Sequence, residues 1–574
     1  MKPRAISLLL VWAALGWPDE SPALDLDPGS RGILLTTIEG SQPQEIPVKY
    51  LGTYHDFAGP GQDVHMVELE GPVAERVGVA NGMSGSPVYF DGHLLGALAY
   101  RLGALPKNPI AGVTPIERVL DASRSALVSG TGAEGKLHRI ASPVFLGGLA
   151  PPAREWLAPQ LERLGFLVVA GNGGHGNADP GGALAPGKPL GVELVRGDMR
   201  IAASGTVTLV DGDVVYAFGH PFLGTGPVEL PMASAAVIHT LADWAGSYHM
   251  VNLGPSVGAI LEDRQSAIVG RVGQPARMVP LRLQVRGGDY GTQDFEMEIV
   301  ASSDLTPLLA GVAAANSLFL SNGYRDKVTV MARGSLSLEG LGELPLEMAF
   351  SSAQGGNPAL AVAGTLFQTL AGLWANPFAE VKVSGLELEI DVFPGTTSYV
   401  VESLRYDRGP LGPGQPLTVR AVLREHRGET VTRELSLALP ERLPRSGSLT
   451  LAVGGPSGID GVLGNRVARR LQSATDLRAV IDALAEQRSA HRLTAVVYEQ
   501  GGTVVSRGTL FPSLPPTAER LLSLRAASGS RNAKPPASPV ARAEVELDGP
   551  VEGGVQLRLK VERGVLTVLE GEER

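Results

Sequence analysis

The sequence predicts a mainly β protein whose later part is a β-sandwich of immunoglobulin-like type. Composition is the first observation. The 73 glycines and 43 prolines, against 5% aromatic residues, favour many short strands and turns over long helices. The second is the run of alternating segments beyond residue 380, where VKVSGLELEIDVFP, SYVVESLRYD, QPLTVRAVLREH, TVTRELSLALP and GSLTLAVGG follow at short spacing. Length is the third: 574 residues exceed a single core, so two to four domains are expected. With 44% hydrophobic and 19% charged residues, the chain can bury such cores. A formal net charge of −10 gives no reason to expect nucleic acid as a partner.

Lys2 and Arg4 form a basic start, residues 5–17 an apolar core, and Ser21-Pro22-Ala23 a small-residue cleavage site. Residues 1–23 therefore read as a secretory signal, implying an exported protein of the periplasm, cell envelope or extracellular space. The apolar run is shorter than the ~20 residues that a span needs. No later segment is long and apolar enough, so no integral membrane span is expected after signal removal. The absence of cysteine excludes lipoprotein attachment, disulfides, thiol catalysis and cysteine-based zinc sites.

Residues 31–49 and 64–70 alternate like strands and lead to Gly82-Met83-Ser84-Gly85-Ser86-Pro87, set in VANGMSGSPVYFDGHLLGALAY. Val88-Tyr89-Phe90, the Asp91-Gly92 turn and residues 94–100 read as a hairpin that the Ser84 loop feeds. The glycines let neighbouring N–H groups converge on one point, as an oxyanion hole requires. The same letters also suit an ordinary tight turn. Residues 110–127 read as a short helix capped by Thr114 with Pro115 in its first turn, and 154–164 as another. Residues 129–140 read as a link and 171–187 as a surface loop. Its Gly187-Lys188 is followed by Pro189 rather than Ser or Thr, so no phosphate loop and no cofactor is expected.

The second dense stretch is IAASGTVTLVDGDVVYAFGHPFLGTGPVEL, residues 201–230. Its segments 204–210 and 214–218 form a hairpin over Asp211-Gly212 that delivers Gly219-His220-Pro221 to a turn. A lone histidine there suits turn stabilisation as well as chemistry. Strands continue to residue 300, then 305–319 and 360–374 read as helices with strand-like 336–350 between them. A helix at 476–487 and strands at 493–510 follow the sandwich segments. Residues 526–540, AASGSRNAKPPASPV, read as linker, and 543–547 and 555–562 as strands pairing back onto the body.

With both motifs in view, the chain resembles the SpoIVB-type serine peptidases, a sporulation-associated bacterial family. GMSGSP at 82–87 matches the family's nucleophile loop, and GTVTLVDGDVVYAFGH at 205–220 its Gly-His turn after a Gly-Thr-Val-Thr strand. The resemblance covers roughly residues 30–300. It implies a chymotrypsin-like pair of β-barrels with the site between them, acting on a protein or peptide substrate. Ser84 would be the nucleophile, His220 the general base, and the N–H groups of Gly82 and Ser84 the oxyanion hole. In the family the histidine precedes the serine, whereas Ser84 precedes His220 here, which implies a circularly permuted barrel pair. The family's acid stands before a proline, but Gly71 precedes Pro72 here. Glu70 is the first candidate for that role and Asp263 the second. No PDZ-like segment precedes the peptidase part, and nothing supports a link to sporulation.

The expected organisation is a signal at 1–23, a serine half at 24–130, a histidine half at 131–378, the sandwich at 379–525, and linker with terminal strands at 526–574. Ser86 reads as a loop-packing hydroxyl and Asp263-Arg264 as an ion pair. His55 and His65 lack companion ligands, so no metal is expected. Two functional readings follow. One is an exported serine endopeptidase; the other is a degenerate peptidase fold that binds protein or peptide in the old cleft.

Overall fold

The computed structural model describes residues 24–568 except 25, 58, 104–106, 124–136, 172–182, 245, 324, 326, 407–408, 442–445, 464–465, 487–488, 501–503, 507–508, 512–516, 519–531 and 534–536. The expected signal, most of the 526–540 linker and most of the 171–187 loop lie outside the described residues. The chain is mainly β, with 52% strand against 18% helix. No helix among the described residues is long and apolar enough to cross a membrane.

Two sheets close on themselves. In the first, strands Arg31–Thr36, Gln44–Tyr54, Val64–Leu69, Ile110–Pro115, His93–Leu102 and Pro87–Phe90 pair in that order, and the last also pairs with the first. Alternation drives this ring, because one residue in two points inward. Leu34, Ile46, Val48, Val67, Val88 and Leu98 fill it. Phe90 pairs with His93 across Asp91 and Gly92, whose φ values of 49° and 78° are those of a type I′ turn. Residues 110–115 are the sixth strand of the ring and not helix; the helix is only Ile116–Asp121, with Pro115 as its cap residue. Closing the ring outweighed the local helix signal of Thr114 and Pro115.

The second ring runs Pro189–Gly197, Gly226–Leu241, Tyr248–Asp263, Ile268–Val272, Val214–Ala217 and Arg200–Asp211, and the last strand pairs back with the first. Asp211 pairs with Val214, so the hairpin turns at Gly212-Asp213, one residue later than expected. From Pro189–Gly197 the sheet continues through Gly291–Val300, Met278–Gly288, Val383–Pro394, Val328–Leu338 and Gly342–Ser351. Helices Thr306–Ser321 and Pro358–Trp374 pack together within the same core. The first is buried at every position except Leu320, which its apolar all-round sequence requires.

Three expected boundaries shift. Strand Val383–Pro394 sits between Met278–Gly288 and Val328–Leu338, so the body ends after Pro394 and not at 378. Its alternation is the same as that of a sandwich strand, and a period of two does not say which sheet will take it. Beyond it, a four-stranded and a five-stranded sheet share one core that includes Val419, Leu435, Leu451 and Leu559. Strands Ala537–Glu546 and Gly554–Glu562 pair with Arg492–Gln500 and Ser446–Gly454 in that five-stranded sheet, and not with the body. Helix Leu477–Ala485 crosses the other way, burying Leu477, Val480, Ile481 and Leu484 in the core of the body.

A chain ended at residue 378 should lose cooperative thermal unfolding, because it lacks a strand interior to the large sheet. One ended at 395 should unfold cooperatively but melt lower, since the apolar face of helix Leu477–Ala485 is gone. Calorimetry of the two forms checks this; equal melts would show that neither element supports the body.

Candidate functional site

The serine loop hangs from the first ring but is fastened to the second. Gly82 and Gly85 have φ of 100° and 95°, in the region only glycine adopts readily. Gly85 has a steric reason as well: a Cβ there would lie 2.0 Å from the Thr206 carbonyl oxygen and 2.4 Å from the Phe218 nitrogen. Through that close approach the Thr206 N–H donates to the Ser84 carbonyl at 2.8 Å, and the Thr206 hydroxyl to the Gly82 carbonyl at 2.8 Å. The Thr208 hydroxyl donates to the Gly85 carbonyl at 2.7 Å. Ser86 packs as expected, its hydroxyl donating to Thr36 Oγ1 at 2.8 Å.

The histidine turn meets the same strand. The Phe218 N–H donates to the Thr206 carbonyl at 3.1 Å, so Thr206 joins both motifs. Phe218 is fully buried with a φ of 72°, a strained setting for an aromatic residue, and Gly219 follows at 69°. The Thr114 hydroxyl, expected as a helix cap, donates instead to the Gly219 carbonyl at 2.7 Å. His220 Nδ1 lies 2.8 Å from the Pro221 carbonyl oxygen. A carbonyl only accepts, so Nδ1 carries the proton and Nε2 is left with its lone pair. Burial pushes the imidazole down to about 4, opposed by the Pro221 and Ile140 carbonyls and assisted by Arg139.

Four polar groups here lack hydrogen-bond partners among the described residues. Ser84 Oγ and His220 Nε2 are buried and unpaired, and they make no hydrogen bond to each other. The N–H groups of Gly82 and Ser84 donate to nothing, while those of Asn81, Met83, Gly85 and Ser86 around them are all bonded. Ser84 itself has no exposed surface.

Neither candidate acid bonds the imidazole. Glu70 lies at the end of the first ring's third strand, 3.6 Å from Arg31. Asp263 accepts the N–H groups of Phe222, Leu223 and Gly224 at 2.7, 2.6 and 2.7 Å, which pins the turn that follows His220. Burial raises its pKa even though those donors pull it down. Arg264 pairs with Glu262 at 2.7 Å and not with Asp263. His55 bonds Asp63 and His65 bonds Thr53, so the two histidines do not form a shared site.

One buried histidine escaped the sequence reading. A Cβ on Gly82 would lie 3.0 Å from His249 Nδ1, and the His249 N–H donates to the Asn81 carbonyl at 3.0 Å. Burial alone lowers its pKa to about 4, and its Nε2 is unpaired. The signal was in YHMVNLG, where a period of two puts His249 on the face of Val251 and Leu253, both buried.

No protein-family model, curated protein or solved structure matches this chain. The site's chemistry therefore rests on its own geometry.

Gly85→Ala should destabilise the protein by about 3 kcal/mol or more, because the new methyl meets backbone on both sides and the φ is unfavourable. Urea unfolding checks this. A second expectation concerns pH. An unfolded histidine takes its proton near pH 6.5, but folded His220 and His249 do so only near 4. Between those values the unfolded chain binds more protons, so stability falls as pH drops from 6.5 towards 4 and is unaffected by these rings above 6.5. Urea midpoints across that range should show the fall, and His249→Gln should make it shallower.

Proposed function

We propose that this protein is an exported serine endopeptidase of the SpoIVB type, with Ser84 as nucleophile and His220 as general base. One observation carries the reading: the unpaired polar groups of the Ser84 loop and the His220 turn are those that acyl transfer uses. Unsatisfied buried groups are rare in native proteins and call for a reason. The Ser84 proton passes to Nε2 as Oγ bonds to the peptide carbonyl carbon. The N–H groups of Gly82 and Ser84 take the oxyanion, and Nε2–H then protonates the leaving amine. Water reverses the sequence to release the acyl group.

Pro221 stands where a carboxylate would orient the base. Its carbonyl fixes the productive tautomer but offers no full charge to the imidazolium. Turnover should be slow, though less impaired than the ~10⁴-fold seen when the tautomer is wrong. Two closed six-stranded rings, one carrying the serine and the next the histidine, support a chymotrypsin-like pair in permuted order. The two-sheet module after Pro394 supports an immunoglobulin-like sandwich that engages a partner or the envelope.

A specific observation favours the second reading, a peptide-binding relic: Ser84 has no exposed surface, and no carboxylate among the described residues bonds His220. A fluorophosphonate probe separates the two. Labelling of the purified protein at Ser84, lost in Ser84→Ala and slowed 10⁴-fold or more in His220→Gln, is the expected result. An unlabelled protein that still retains peptides would leave the binding reading.

A further inference from the structure

Arg101 lies on strand His93–Leu102 and is only partly exposed. Its side chain makes no hydrogen bond and no ion pair among the described residues, and its Nε is buried without an acceptor. Several other arginines of the body have acidic partners. Arg196, Arg271 and Arg282, with much of their side chains in solvent, pair with Glu298, Asp213 and Glu387. Removing a guanidinium from water without a counter-ion is costly, so a partly buried arginine without an acid has a reason to take an anion. Burial also lowers its pKa.

What surrounds it is the start of the serine loop. A Cβ on Gly246 would lie 3.2 Å from Arg101 Nη1 and 3.3 Å from Asn81 Nδ2, so both donors border one point. Asn81 is held there by its N–H and Nδ2, which donate to the Ser247 carbonyl at 2.7 and 3.0 Å, while its Oδ1 is buried and unpaired. Gly246 closes a turn by donating to the Asp243 carbonyl at 3.2 Å, and that turn holds up Trp244, which is 93% exposed. A planar cation thus stands beside Asn81, three residues before Ser84.

We propose that Arg101 is the cation of a carboxylate-binding subsite beside the Ser84 loop, so that this protein takes peptides bearing a carboxylate close to the bond brought to Ser84. A guanidinium matches a carboxylate with two parallel N–H donors, and Trp244 offers its ring to the neighbouring residue. The substrate assignment rests on the peptidase reading; the subsite itself does not. The carboxylate is either an acidic side chain or the peptide's own C-terminus.

Full-length Ser84→Ala protein, which holds substrate without cleaving it, provides the test. Three synthetic octapeptide libraries of equal randomness are passed over it and retained peptides are counted by mass spectrometry. One has a fixed Glu and an amidated C-terminus, one a fixed Gln and a free C-terminus, and one a fixed Gln and an amidated C-terminus. The Glu or the free-carboxylate library should be retained about tenfold or more above the neutral one, and which of them identifies the source. Arg101→Gln should bring the charged libraries down to the neutral level, while Arg101→Lys, which keeps the charge, should keep a preference. Equal retention of all three, no retention at all, or a preference that survives Arg101→Gln overturns the subsite. Fluorophosphonate labelling of the unaltered Ser84 then reports separately whether the peptidase reading stands.

Discussion

Thr206 is the contact on which the site depends. One residue of the second ring donates its N–H to Ser84, its hydroxyl to Gly82, and accepts the N–H of Phe218 through its carbonyl. The serine loop belongs to one barrel and the histidine turn to the other, and this residue sets their relative position. The condition for it is an absence: any side chain at Gly85 would occupy the space where the Thr206 and Phe218 backbones pass. Such buried polar links are individually worth only about 1 kcal/mol, but each one left unmade costs more. The rings therefore dock in one register or lose several bonds together.

Against that rigid frame, the groups left over stand out. A buried hydroxyl, two buried imidazole nitrogens and two loop N–H groups without partners each cost about 1–3 kcal/mol. Acidic charge is present nearby but is committed elsewhere: Asp263 is consumed by the three backbone N–H groups after His220. It thereby acts as a positioning residue for the turn. The ring is oriented by a backbone dipole and kept neutral by burial, a state suited to accepting a proton but weaker at holding one.

The body and the sandwich are joined by charge and by apolar packing, and the two do different things. Glu347 of the body takes Arg492 of the sandwich in a two-point contact at 3.0 and 3.1 Å, and His491 approaches it at 3.3 Å. Arg333 of the body reaches back to Glu546 at 3.0 Å. Glu347, His491 and Glu546 come within 4.8 Å of one another, as metal ligands would, but Arg333 and Arg492 already supply the positive charge. Half-exposed pairs of this kind contribute little net stability and mainly fix orientation. The binding energy comes from helix Leu477–Ala485, whose apolar face completes the core of the body.

Sequence alone determined what local chemistry determines. Asp91-Gly92 specified a type I′ turn, alternation specified strands, and a mostly apolar run specified the helix Thr306–Ser321. The Gly82–Gly85 spacing, with Ser84 between, marked a loop of unusual backbone, and Gly219-His220-Pro221 marked a turn. Only the tertiary structure decided which sheet receives Val383–Pro394, because every alternating strand carries the same pattern and its partner is chosen by long-range packing. The same holds for residues 110–115, where the last place in a closing ring outweighed a helix signal worth a few tenths of a kcal/mol per residue. The fate of each acid was likewise beyond the sequence. Glu70 and Asp263 are equally able to orient an imidazole as letters, but a carboxylate bonds whichever donors the folded backbone brings within 3 Å, and that is a property of the rings together.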